Sequence, residues 1–265
     1  MSEQDIIYTK EQGIATVKMN RPDRMNAFSE EMTNGIMAAI EEMKRDDSLR
    51  VLILTGADRA FSSGGDVKAM AGHLGESKGA AERRRLFERE LPPLPLALAS
   101  LDKPTIAAVN GVAVGGGFDL ALACDIRIAS DRARFAEVFI RRGLIPAMGG
   151  TYFLPRLVGI DRACELIWTG DMIDAHEAER IGLVTRVVPH EELEAATWEL
   201  AMKMAKGPPL AIRMAKRAIY RGLTQDLASA LEYVQPLLQA LRQTEDHVEG
   251  ARAFVEKREP LFRGQ

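Results

Sequence analysis

Twice along the chain a short apolar run ends in a glycine-rich loop: VLILTG, from residue 51, leads into AFSSGGDVKAM, and LDKPTIAAVNGVAV leads into GGGFDLALACD. A run such as VLILTG is apolar at every position, as a strand buried on both faces must be, and glycine after it lets the backbone turn tightly. TIAAVNGVAV reads as a strand pair or a strand with a bend, and DIRIAS as another short strand. This recurrence predicts an α/β chain built of repeated ββα units wound into a spiral, with the glycine loops gathered at one end of the strands.

The flanking segments fit that plan. Alternation in IIYTKEQGIATVKMN predicts a hairpin, with a strand at 6 to 9, a turn near Gly13 and a second strand over IATVKM. NRPDRMNAFS reads as a loop. Ser29 then caps a helix, with acids at or near the capping-box position. AFSSGGDVKAM reads as a polar loop turning into a helix, which the charged stretch ESKGAAERRRLFERE continues. From about residue 191 the helical period dominates to the end. The expected division is therefore a spiral core over 1–195 and a helical region over 196–265, packed on the core or on a neighbouring subunit.

Composition narrows the function classes. With 35 basic and 38 acidic residues the net charge is −3, so no global field recruits nucleic acid or an anionic membrane. The polar, acidic N-terminus lacks a signal-peptide core, and no run of roughly 18 apolar residues would span a bilayer, so a cytoplasmic location is expected. Cys124 and Cys164 lie in apolar helical patterns as expected buried free thiols, Trp168 and Trp198 sit at helical core spacing, and His73, His176, His190 and His247 lack metal-ligand spacing. Arg83, Arg84 and Arg85 are flanked by acids and read as a solvated helix face.

The glycines do not fit nucleotide binding. A dinucleotide fingerprint would need glycine where Leu120 stands, and a P-loop would need Lys followed by Ser or Thr. Glycines ahead of a helix can instead offer free N–H groups to an oxygen that gains negative charge, or can serve as close-packing turns. Spacing alone leaves both readings open.

NRPDRMNAF, RAFSSGGDVKAM, KPTIAAVNGVAVGGGFDLALACDIRIAS, GLIPAMGGTYFLPRLVG and AFVEKREPLF together resemble the crotonase, or enoyl-CoA hydratase/isomerase, superfamily, from about residue 6 to the C-terminus. The resemblance implies a spiral of ββα turns with a C-terminal helical region that builds trimers or hexamers. It also implies coenzyme A thioester substrates of the kind met in fatty acid metabolism, with the coenzyme part of the substrate and no separate cofactor or metal. Gly65 and Gly116 match the two amides that hold the thioester oxygen, and Asp119 matches one of two catalytic carboxylates.

The second carboxylate departs from the pattern. Family hydratases place a glutamate four residues before the glycine of a Gly-Leu pair, and here Phe139 occupies that position. Other members carry an acid just after the proline of GLIP, where this chain has Ala147. Glu137 is the candidate second acid, but on a helix two residues turn a side chain by about 200°, so it can substitute only where the backbone is irregular. One base suffices to move a proton between carbons, so double-bond isomerisation survives the loss of an acid more easily than hydration.

For coenzyme A the resemblance points to Arg24, Met25, Ala60, Ser62, Asp66, Lys68, Phe139, Phe254 and Lys257, with the acyl pocket wall between Met70 and Leu98. Arg24, Lys68 and Lys257 read equally as solvated charges, and Asp66 as a helix cap. Two rival functions remain. A thioester hydrolase would use Ser62 or Ser63, though no GxSxG elbow exists, and a binding shell without catalysis would need neither acid.

Overall fold

The computed structural model describes residues 4–65 and 93–265. The helix expected after the first glycine loop, the ESKGAAERRRLFERE run with its three arginines, and His73 lie outside the described residues.

The N-terminal hairpin forms. β1 (Ile6–Glu11) pairs antiparallel with β2 (Ile14–Met19), two residues longer than the first expected strand. Gln12 at φ 49° and Gly13 at φ 80° both take the left-handed conformation that a two-residue hairpin turn demands. A loop with one 3-10 turn, Pro22–Arg24, leads to α1 (Glu30–Arg45). Ser29 Oγ accepts the Met32 N–H at 3.0 Å. The third helical position is Met32 and not an acid, so the expected capping box is only half present. Met32, Ile36, Ala39, Ile40 and Met43 form the buried stripe of α1.

The next strands alternate between two sheets. β3 (Val51–Gly56) is followed by β4 (Ala60–Ser62), then by α2 (Pro93–Ser100). β5 (Thr105–Val109), β6 (Val112–Val114), α3 (Gly116–Leu122), β7 (Ile126–Ser130) and β8 (Arg134–Ala136) come next. A 3-10 turn over Val138–Arg142, α4 (Gly150–Val158), α5 (Ile160–Thr169), β9 (Ile173–Asp174), α6 (Ala175–Arg180) and β10 (Arg186–Val188) complete the core. One sheet has the order β1-β2-β3-β5-β7-β10 and the other β4-β6-β8-β9. Each turn of the chain thus gives one parallel strand to each sheet, and this is the expected spiral.

β3 shows why its sequence is apolar throughout. Leu52 and Leu54 face the main core, while Val51 and Ile53 face a second core on the sheet's other side. That second core is closed by α7 (Leu193–Ala205), which contributes Leu193, Ala201 and Ala205. A boundary at 195/196 therefore falls inside a helix that packs on the six-stranded sheet.

α8 (Pro209–Gly222), α9 (Leu227–Arg242) and α10 (Glu245–Glu256) follow, so the last third is helical as expected. α8 is tied to the core by Lys216 Nζ, which donates to Lys103 O at 2.9 Å and to Asp125 Oδ2 at 2.7 Å. The Tyr220 hydroxyl donates to Asp125 Oδ1 at 2.7 Å.

Three expectations are corrected. Residues AFS, read as part of a polar loop, form β4: all three are buried, and Ala60 and Ser62 pair with β6, a segment too short to show a period. Trp168 is 70% exposed, because the buried face of α5 carries Ala163 and Leu166 and two further residues turn Trp168 outward. Trp198 is half-buried against the second core. Cys124, just past α3, is a free thiol and buried as expected, whereas Cys164 in α5 is a free thiol that is only half-buried. No helix among the described residues is long and apolar enough to cross a membrane.

Candidate active site

The two glycine loops meet backbone to backbone. The Phe28 N–H donates to Gly64 O at 2.8 Å, and Phe28 bridges to Gly65. Gly64 lies at φ 78°, where a Cβ would stand 2.7 Å from Gly116 N and 3.0 Å from Val114 O. Gly117 approaches the Ser62 carbonyl too closely to accept any side chain. Gly115 donates its N–H to Ala136 O at 2.9 Å, whereas the amides of Gly65 and Gly116 have no acceptor among the described residues. Both are donors in reserve.

Asn26 braces the first loop. Fully buried, it donates from Nδ2 to Ala57 O (2.9 Å) and Ala60 O (2.7 Å) and accepts the Arg21 N–H at 2.8 Å. Ser62 Oγ donates to Asn26 O at 2.7 Å and accepts the Gly64 N–H at 3.1 Å. Its hydroxyl is therefore committed to the loop, with no exposure. Ser63 Oγ reaches Arg24 O at 3.3 Å.

Asp119 lies one turn after Gly116 and is fully buried. Its Oδ2 accepts the Met148 N–H at 3.1 Å, and its Oδ1 has no hydrogen-bond donor. Glu137 stands at the exit of β8 with φ −90° and ψ 77°, just before the 3-10 turn. This is the irregular backbone that a second acid at 137 requires. Glu137 is also fully buried, and neither of its carboxyl oxygens meets a donor. Its Oε1 and Asp119 Oδ1 press on the same side of Gly150, where a Cβ would overlap both.

Burial raises the pKa of both acids. For Asp119 the rise is opposed by the nearby Glu137 carboxyl group and by the backbone around Met148 and Gly150. For Glu137 the neighbouring Asp119 charge adds to desolvation, so Glu137 is raised further. Two carboxylates cannot both ionise here cheaply, and one proton between them satisfies Oδ1 and Oε1 together.

The remaining candidates fall into place as follows. Phe139 is half-buried, its ring 3.7 Å from where a Cβ on Gly115 would be, so an aromatic ring borders the triple-glycine turn where the resemblance expects an acid. Ala147 is exposed. Arg24 is exposed and Met25 half-buried, whereas Ala60 and Ser62 belong to the buried frame of the loop. Asp66 and Lys68 lie outside the described residues, as does most of the Met70–Leu98 wall, of which Leu94, Ala97 and Leu98 are in the main core. Phe254, 86% exposed, and Lys257 sit at the end of α10, which packs on α9.

His176 and His247 are exposed, and His190 Nδ1 lies 3.0 Å from Ser130 Oγ. Met148, Gly150 and Asn26 were not singled out from the sequence. The pair Gly149-Gly150 before an apolar helical run was the available signal for the first two.

A family model described as enoyl-CoA hydratase/isomerase matches residues 9–265. A probable enoyl-CoA hydratase of Mycobacterium bovis is 37% identical over 262 residues, covering 99% of each chain. A 1,2-epoxyphenylacetyl-CoA isomerase of Escherichia coli is 37% identical over 255 residues, covering 96% of this chain and 97% of that one. The crystal structure of an enoyl-CoA hydratase from Bacillus anthracis superposes with a TM-score of 0.90 at 36% identity, covering 99% of this chain and 100% of the other.

Proposed function

The chain belongs to the enoyl-CoA hydratase/isomerase family, and on that premise we propose that it is an acyl-CoA enzyme that hydrates a 2-enoyl-CoA with Asp119 as its base. The amides of Gly65 and Gly116 receive the thioester oxygen. Asp119 takes a proton from water as the water oxygen bonds to the β carbon, and the double-bond electrons pass to the thioester oxygen as an enolate. The enolate then takes a proton at the α carbon from Asp119, so that water is added and the carboxylate restored. Each preorganised amide contributes about 2.7–4 kcal/mol to such a transition state. The observation that carries the reading is the buried Asp119 carboxylate, one turn from Gly116 and held by the Met148 N–H.

Isomerisation is the second reading, favoured by Phe139 at the position of the family's second acid. In it Asp119 moves a proton between carbons while the same amides hold the enolate. Hydrolysis finds no support, since the Ser62 hydroxyl is committed within the loop.

The coenzyme comes as part of the substrate. Arg24, Met25, Asp66, Lys68 and Phe139 are the contacts we assign to it, with Ala60 and Ser62 as frame. Phe254 and Lys257 serve it at a subunit contact. Leu227, Leu231, Val234 and Leu238 leave an exposed apolar stripe on α9, which supports a homotrimer or homohexamer. A cytoplasmic enzyme suits the free thiols.

The test is mass spectrometry of 2-enoyl and 3-enoyl thioesters, short and ring-containing, incubated with the protein in heavy water beside Asp119→Asn. Gain of water supports hydration. Deuterium exchange or bond migration without water supports the isomerase, and no change in any thioester overturns both.

A further inference from the structure

We propose that Glu137 is a positioning residue: as a buried carboxylic acid it donates its proton in a hydrogen bond to Asp119 Oδ1 and keeps Asp119 ionised, while Asp119 alone exchanges protons with the substrate. The inference rests on the reading of Asp119 as the base.

Three observations lead there. The first is that Asp119 Oδ2 has the Met148 N–H while Oδ1 has no donor. An unsolvated carboxylate with one oxygen unpaired is costly and would protonate, which would remove the base. The second is that Glu137, fully buried with two unpartnered oxygens, brings Oε1 to the same point beside Gly150, where a Cβ would stand, as Oδ1. A proton on Glu137 is the one available donor there among the described residues.

The third is an asymmetry that fixes where the charge sits. Asp119 accepts the Met148 N–H through Oδ2, whereas Glu137 accepts no hydrogen bond at either oxygen. The negative charge therefore belongs on Asp119 and the proton on Glu137.

Among the described residues the surroundings add no compensating cation. On the 3-10 turn Arg141 and Arg142 are exposed, and Arg141 pairs with Asp171. Arg156 of α4 stacks on Tyr152, and the half-buried Arg134 of β8 donates to Ala133 O. Asp174 of β9 is exposed. Of these groups Asp119 is the charge that acts on Glu137, and it favours the neutral acid.

The role differs from that of a second catalytic acid, and one substitution separates them. Gln at 137 keeps a donor for Oδ1 but has no proton to transfer, while Leu keeps neither. With a 2-enoyl-CoA, E137L is expected to lose about 10- to 100-fold in kcat with little change in KM, the scale of a lost hydrogen bond to a charged group. E137Q should recover most of that loss. The wild-type rate should fall on the alkaline side as Glu137 ionises against Asp119, and E137Q should hold its rate there.

Infrared spectra of the full-length protein at neutral pH supply a readout free of substrate. A protonated carboxyl band is expected in the wild type and should vanish in E137Q. Absence of that band from the wild type overturns the proposal, as does an E137Q enzyme as slow as E137L. A band that behaves as expected in a protein inert toward every enoyl thioester supports the shared proton and overturns the enzymatic reading instead.

Discussion

A Cβ on Gly64 would stand 2.7 Å from the amide nitrogen of Gly116, so the two loops that carry the donor amides are spaced by the absence of a side chain. Glycine at 64 also sits at φ 78°, a conformation that costs other residues about 1–2 kcal/mol. Gly64→Ala adds a clash to that cost, and the atoms it meets are backbone that cannot rotate away. Turnover is expected to fall at least about 100-fold, the loss produced by one misplaced donor.

Gly143→Ala is the control, since it shares a positive φ of 67° but meets nothing within 4 Å. It should show the conformational cost alone. Urea unfolding beside turnover measures both variants, and equal activity in the two would sink the argument from loop spacing.

Asp119→Asn should leave the fold intact and remove the chemistry. The amide is isosteric, its oxygen can still accept the Met148 N–H, and its NH2 can face Glu137. A buried charge disappears, so the thermal midpoint should hold or rise. Loss of a general base lowers turnover by about 10²–10⁴-fold. A thermal scan and a spectrophotometric assay on one preparation decide the matter, and a variant that is both stable and fully active removes Asp119 from the mechanism.

Much of the fold could be read from local pattern, and the reasons show where reading stopped. β1, β2 and β3 are each six residues long, enough for a period of two or a wholly apolar run to appear. β4, β6 and β8 are three residues each, too short for a period of two to repeat, and β4 reads as loop in the sequence. Gly116 and Asp119 come from the family resemblance, since spacing alone leaves their role open, and they lie one turn apart on a single helix. The approach of Glu137 to Asp119 could not be read from the sequence, because it depends on a φ of −90° and ψ of 77° between a strand and a 3-10 turn. No spacing rule reaches across such a junction. Trp168 shows the opposite limit, a helical period correctly seen but assigned to the wrong face of α5.

Lys216→Met should weaken the attachment of α8. The ammonium is nearly buried and lies 2.7 Å from Asp125 Oδ2, while Asp125 keeps the Tyr220 hydroxyl and the Thr105 N–H. With those partners retained, the loss should be that of a charged hydrogen bond, about 1.5–3 kcal/mol. The double variant Asp125→Asn with Lys216→Met should recover part of it, because the stranded carboxylate is then neutral. Urea midpoints of the two single variants and the double variant form the cycle, and strict additivity would mean that the pair does not couple.

Stability should fall as pH rises through the range where Glu137 ionises. Its folded-state pKa lies above the unfolded value of about 4.3, so the folded chain binds its proton more tightly than the unfolded chain does. Its contribution is complete below that unfolded value and is lost as pH climbs through the raised one, at about 1.4 kcal/mol for each unit of rise. Asp119 acts in the same direction, being raised as well. Surface acids such as Glu249 and Asp174 are lowered instead and lose their contribution as pH falls through their folded pKa values. The urea midpoint of the wild type should therefore decline between pH 5 and pH 8.5 on account of the pair. Glu137→Gln removes the larger of the two titrations and leaves the surface groups unchanged, so its midpoint should decline less and overtake the wild type at the alkaline end. Two curves that run parallel across that range would show that Glu137 enters the fold already ionised, and the assignment of its proton would be wrong.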